Sequence, residues 1–256
     1  MASIVVNADD FGLDERTNLA IVEAYQKKLI SHTTMLANMD GFEHALKLIS
    51  NSQIDKKDIG VHINLTQGRP LTEGISKDSF FCINGKFHGN IRRKPIFFLN
   101  ADRSRLVSNE IIAQIDRLSK YGIVVRHLDG HHHIHTEWAI FKSIEKIIKY
   151  RGIRSVRISR TEFAFKDSLR KLLVKFYKSL FNFYIRRQGF ITTNCMGEIT
   201  DYQNISSKNT RSIEIMTHLI PTNIAPRFDD LEYAVFSDKL NRLKTDHSII
   251  SFDDLK

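Results

Sequence analysis

The chain has 256 residues, 42% apolar and 26% charged, with a formal net charge of +9. That length suits one domain with a full core, and no run approaches the 18 consecutive apolar residues that a membrane-spanning helix requires. Two cysteines, Cys82 and Cys195, are too few and too far apart to build a disulfide scaffold or a paired-cysteine metal site.

The first strand is expected at residues 4–7, where Ile4-Val5-Val6 runs directly into Asn7-Ala8-Asp9-Asp10-Phe11-Gly12. No basic segment, apolar core or cleavage site precedes it, so a cytoplasmic address is the default expectation. Adjacent carboxylates at a strand end repel unless a cation or a shared proton relieves them. A helix over 14–28 follows, with Asp14 as its N-cap and Leu19, Ile21, Val22, Ala24 and Tyr25 on its apolar face. A second strand is expected over 33–39 and a helix over 42–49. The third strand centres on Gly60-Val61-His62-Ile63, a single imidazole in an apolar run.

Residues 66–102 carry Gly68, Pro70, Gly74, Gly85, Gly89 and Pro95 with little periodicity, and read as the rim or lid of a cleft. The spacing of Leu106, Ile111, Ile112, Ile115 and Leu118 predicts a helix over 103–120. Val124-Val125-Arg126-His127-Leu128-Asp129-Gly130-His131-His132-His133-Ile134-His135 is a strand running into a histidine cluster. A helix over 137–150 closes at Gly152, and strands are expected at 155–158, 191–193, 212–218 and 248–252, with a helix over 231–243 before the last. The longest helical pattern, 163–187, holds seven basic residues against one acid, Asp167, beside a wide apolar stripe. It fits an outer helix with a basic face, or an interfacial helix touching anionic lipid.

Strands and helices alternate without hairpin signals, which argues for a parallel sheet flanked by helices. Seven or eight such strands, with reactive residues at their C-terminal ends, predict an α/β fold: a single-domain, distorted (β/α) barrel spanning 1–256. An open doubly wound sheet is the alternative. One carboxylate and two imidazoles from separate strand ends form a facial ligand set for a divalent cation. In an extended backbone His127, Asp129, His131, His133 and His135 share one face, so alternation does not choose among them.

The order of Asn-Ala-Asp-Asp-Phe-Gly at 7–12, Thr33-Thr34 with Asn38, Gly60-Val61-His62, and His127 to His135 resembles the YdjC-like carbohydrate deacetylases over nearly the whole chain. The resemblance implies a hydrolase that removes acetyl groups from N-acetylated sugars, free or lipid-linked, with one divalent ion, Mg or Zn. It makes Asp10, His62 and His131 the metal ligands and Asp9 the base that deprotonates the attacking water. His218 becomes the acid for the leaving amine, and Arg157 a residue that orients Asp9 or the sugar. Where the family commonly has Ser and Pro, this chain has Gly130 and Leu219. The segment between His218 and Arg227 is also short.

Two other functions compete with this one. A metal-dependent phosphoester hydrolase would use the positive charge but usually needs more carboxylates. A basic protein that binds membrane or nucleic acid on an inactive barrel would need no such site, and no nucleic-acid-binding signature is present. Peripheral membrane contact through 163–187 and a homodimer are both compatible with the chain.

Overall fold

The structure is a computed structural model that describes residues 2–93, 96–161, 169–204, 212–223, 225–245 and 247–255. In chain order the strands are β1 (Ala2–Phe11), β2 (His32–Met35), β3 (Ile59–Ile63), β4 (Cys82–Ile83), β5 (Lys86–Phe87), β6 (His127–Gly130), β7 (Ser155–Val156), β8 (Cys195–Gly197), β9 (Ser212–Thr217), β10 (Leu219–Ile220), β11 (Arg227–Phe228) and β12 (His247–Ile249). The α-helices are α1 (Glu15–Gln26), α2 (Phe42–Ser50), α3 (Glu73–Ser76), α4 (Ala101–Lys120), α5 (Trp138–Tyr150), α6 (Leu169–Arg187) and α7 (Tyr233–Lys244).

Among the described residues, eight parallel strands form one sheet in the order β7-β6-β3-β2-β1-β9-β8, with β12 beside the start of β1. Along one flank β1 meets β12 at residues 2–4 and then β2 at residues 7–11, while β9 runs along its other flank. The sheet curls so that its edges approach one another. Ile191 forms a parallel bridge to Ser155 of β7, and the Thr161 N–H donates to the Met196 carbonyl in β8, 3.0 Å away. The architecture is the distorted (β/α) barrel expected above.

Ile4, Val5 and Val6 are all fully buried because both faces of β1 are covered, by the barrel interior and by helices. The helices follow local rules. Asp14 caps α1 through its Oδ1, which accepts from the Thr17 N–H at 2.8 Å, and Asn100 caps α4 likewise. The strand expected at 191–193 is reduced to the bridge at Ile191, and the next full strand is Cys195–Gly197. Within 66–102 lie α3 and the β4–β5 hairpin, with residues 94 and 95 outside the described set. The pattern at 163–187 is seen as α6 from Leu169 onward; 163–168 lie outside the described residues.

Candidate active site

Successive side chains of a strand point to opposite faces, so Asp9 and Asp10 should diverge. They do not, because β1 departs from regular pairing with β2 between Ala8 and Phe11 and Asp10 takes φ 71°. This irregularity swings the Asp10 carboxylate to the same strand end as Asp9. A non-glycine residue in that left-handed region is uncommon, and Asp and Asn tolerate it best.

His62 reaches the same point from near the C-terminal end of β3. Its Nδ1–H donates to Asp129 Oδ1 at 2.6 Å, leaving Nε2 facing Asp10 Oδ1 at 3.2 Å. Thr34 braces the pair by donating to Asp129 Oδ2 at 2.9 Å. His131 comes from the turn after β6. Its Nε2 lies 2.9 Å from Gln67 Oε1, an acceptor, and its Nδ1 lies 2.7 Å from Asp10 Oδ1. One donor atom each from Asp10, His62 and His131 therefore fall within 4.8 Å of one another, and all three residues are buried.

Asp9, His62 and Asp129 form a second group of the same size, but its two carboxylates already accept from the Arg157 guanidinium. A cation would lie against that fixed positive charge. Among the described residues the Asp10 side chain meets only imidazoles, so the first set is the better match to a divalent ion, and its nitrogen and oxygen donors suit one. Burial alone would raise the Asp10 carboxyl, but hydrogen bonds from His131 and His62 hold it well below the usual range. Burial would lower His62, but Asp129 and Asp10 on either side of the ring push it up to about 10.

Arg157 follows β7 and is fully buried. Its two terminal nitrogens donate to Asp9 at 2.6 and 2.7 Å, one of them also lies 2.8 Å from Asp129 Oδ2, and Nε donates to Glu214 Oε1. Among the described residues, the side-chain donors of Arg157 all end on carboxylates. Burial would raise the Asp9 carboxyl, but the charge and hydrogen bonds of Arg157 override it and hold Asp9 ionised well below the usual range. Asn7 adds a further hydrogen bond to Asp9 Oδ1 at 2.8 Å. Glu214 has the opposite fate: burial, only partly countered by Arg157, raises it to about 7.

His218 stands across from this group, its Nε2 3.9 Å from Asp9 Oδ2. Its Nδ1–H and its backbone N–H both donate to Asp229 Oδ1, at 2.9 and 3.0 Å. Burial would lower the ring, but Asp229 and the site carboxylates raise it to about 9. The short segment after His218 forms the β10–β11 hairpin, where Leu219 pairs with Phe228, and this fold-back delivers Asp229. The structure thus brings Asp9, Asp10, His62, His131, Arg157 and His218 together at one end of the barrel.

Alternation along the histidine cluster stops at Gly130. His131–Thr136 is a tight turn in which His132 and His133 take φ 54° and 58°. His132 Nδ1 turns to the Thr66 hydroxyl at 2.9 Å, and His127 points down the barrel to Ser155. Gly130 packs closely, since a Cβ there would lie 3.0 Å from His135 Nδ1. Sequence reasoning missed Glu214, Asp229 and Gln67. A lone acid inside Ser-Ile-Glu-Ile-Met-Thr, a strand with both faces buried, was the available signal for Glu214.

The family model described as YdjC-like protein matches residues 3–230. A carbohydrate deacetylase of Geobacillus stearothermophilus is 35% identical over 158 residues, 61% of this chain and 60% of that protein. One from Vibrio parahaemolyticus is 35% identical over 146 residues, 57% of this chain and 55% of that protein. The chain thus spans less than two thirds of the length of these two relatives. A chitooligosaccharide deacetylase of Salmonella typhimurium is 30% identical over 218 residues, 84% of this chain and 80% of that protein. Among solved structures, an Enterococcus faecalis protein provisionally called a cellobiose-phosphate cleavage protein superposes with a TM-score of 0.62 at 23% identity, over 85% of this chain and 80% of that one. That likeness supports the fold.

Proposed function

Because the chain belongs to the YdjC-like family, we propose that it is a carbohydrate deacetylase, hydrolysing the acetamide of an N-acetylated sugar with the help of one divalent cation. The observation that carries this reading is the convergence of Asp10, His62 and His131 on one point, with Asp9 and His218 facing each other beside it. Carbohydrate and chitooligosaccharide deacetylases are the named activities of the relatives.

An amide is a poor electrophile with a poor leaving group, so its hydrolysis needs help at the water, the carbonyl and the nitrogen. Asp10, His62 and His131 would hold a divalent cation, which would lower the pKa of the attacking water and polarise the acetyl carbonyl. Asp9, fixed by Arg157 and Asn7, takes the proton from the attacking water. It is a weak base by pKa, so its contribution comes from guaranteed ionisation and fixed aim; positioned proton transfer is worth roughly 10²–10⁴ in rate. His218, held protonated by Asp229, donates to the amine nitrogen as the C–N bond breaks. Gln67, at the base of the 66–102 segment, steadies His131, and we place that segment at the rim of the sugar cleft.

Acetate release from short N-acetylglucosamine oligomers, with and without chelator, tests the reading. Acetate that appears only with added Mg or Zn supports it. Turnover of an aryl phosphate with none of the acetylated sugars overturns it.

A further inference from the structure

The face of α6 turned away from the barrel is apolar. Phe181 and Ile185 are fully buried on the inner side, and the Asn182 amide anchors it there through both backbone groups of Ser159. On the opposite side Leu172, Leu173, Phe176, Leu180 and Phe183 are 47–70% exposed. At 100° per residue those five positions fall on one arc of about 100°, the width by which a helix normally buries itself. Here solvent meets that arc.

The patch does not stop at the helix. The Phe97 ring packs edge-on against Tyr177 at 5.6 Å, and Phe97 and Phe98 are 63% and 80% exposed. A contiguous apolar surface of this kind marks a docking site. Its charge identifies the occupant: Leu169–Arg187 contains six Lys or Arg and no Asp or Glu. A twofold contact between two copies through this face would set one cationic helix against another, so self-association is opposed. A basic, acid-free helix with an exposed apolar stripe matches the interface of an anionic bilayer, where the aromatic rings enter the headgroup region and the cations meet lipid phosphates.

We propose that α6, extended by Phe97 and Phe98, docks this protein peripherally on anionic membrane surfaces. The docked face adjoins the active site. The Tyr177 hydroxyl donates to the Thr136 carbonyl at 3.2 Å, and Thr136 closes the turn that carries His131. Membrane contact therefore brings the mouth of the barrel close to the lipid surface.

The test is co-sedimentation of the full chain with phosphatidylcholine vesicles, alone or with one third phosphatidylglycerol, at low and high salt. The expected result is pelleting with the anionic vesicles only, reversed by salt. Phe176→Ser with Phe183→Ser should cut the partition coefficient at least roughly tenfold. Lys175→Glu with Arg187→Glu should weaken it roughly fivefold or more per residue. All four side chains are exposed, so melting temperature and acetate release from soluble oligomers should be retained. Equal pelleting with neutral vesicles, no pelleting, or indifference to both pairs of substitutions overturns the proposal. So does a wild-type dimer in sedimentation equilibrium that Phe176→Ser with Phe183→Ser dissociates, since a second copy is then the occupant. Vesicle binding is read without turnover, so it stands or falls separately from the deacetylase reading.

Discussion

Asp10 must do two things at once, hold a left-handed backbone and present a carboxylate oxygen to two imidazoles. Asn tolerates the same φ and fills the same volume, so Asp10→Asn separates chemistry from backbone. We expect its melting temperature to stay near wild type while metal affinity, read by calorimetry, falls at least roughly a hundredfold, the upper end for losing even an outer partner of a metal site. Acetate release should fall with it. His218 makes a second prediction. As the acid it must be protonated, and with its pKa raised to about 9 the rate should hold through neutrality and fall as pH rises past that value. Asp229→Asn removes the carboxylate that raises it, so the alkaline limb of kcat/KM should move down by about one pH unit or more. A limb that stays in place would deny Asp229 its part. The motif residues were legible because reactive side chains clustered in short segments. Asp229 was hidden because its partnership exists only once the β10–β11 hairpin folds back on His218. Glu214 was hidden because alternation would assign it to solvent, whereas the barrel interior receives it and supplies Arg157.

At the scale of elements, the turn His131–Thr136 decides which histidine faces Asp10. Consecutive left-handed residues at His132 and His133 end the extended geometry of β6, so His131 presents its ring to Asp10 while His132 turns to Thr66. Each left-handed L-residue costs about 1–2 kcal/mol, and β-branching makes it worse. His133→Val should therefore destabilise the protein by about 1–2 kcal/mol in urea and loosen the metal site. His133→Gly should stay within about 1 kcal/mol of wild type, because relieved strain is offset by a more flexible unfolded chain. Equal effects of the two substitutions would mean that the ring, and not the backbone, matters there. Helices were legible to within a few residues, since Asp14 announces α1 and apolar spacing announces α4 and α5. Short strands were harder. Ile191-Thr192-Thr193 has strand composition, yet only Ile191 pairs, and the sheet resumes at Cys195. Local propensity does not register where a curling sheet closes.

Over the whole molecule, the barrel interior is a column of polar groups wrapped in an apolar shell, and its lower part is made of neutral imidazoles. His127 stacks on Phe252 with centroids 3.4 Å apart, and His32 meets both rings edge-on. Burial, followed by the charge of Arg157, pushes His32 down to about 3, and burial with His32 beside it holds His127 well below its ordinary value. The unfolded chain protonates these rings near pH 6.5, so below that pH the unfolded state binds more protons and stability drops as pH falls. His62 and His218, raised in the folded state, give their full contribution everywhere below pH 6.5 and add no slope there. Glu214 works the other way, taking up a proton in the folded state first, and offsets about one ring. His127→Phe keeps the stack on Phe252 and removes a buried Nε2 that has no hydrogen-bond partner among the described residues. Between about pH 6 and 4.5 its stability, from urea unfolding, should fall less steeply than wild type by about 1.4 kcal/mol per pH unit, the contribution of one buried neutral histidine. Parallel pH profiles for the two proteins would show that the His127 ring takes up its proton inside the folded barrel, and the neutral imidazole column would then be the wrong description of the lower barrel.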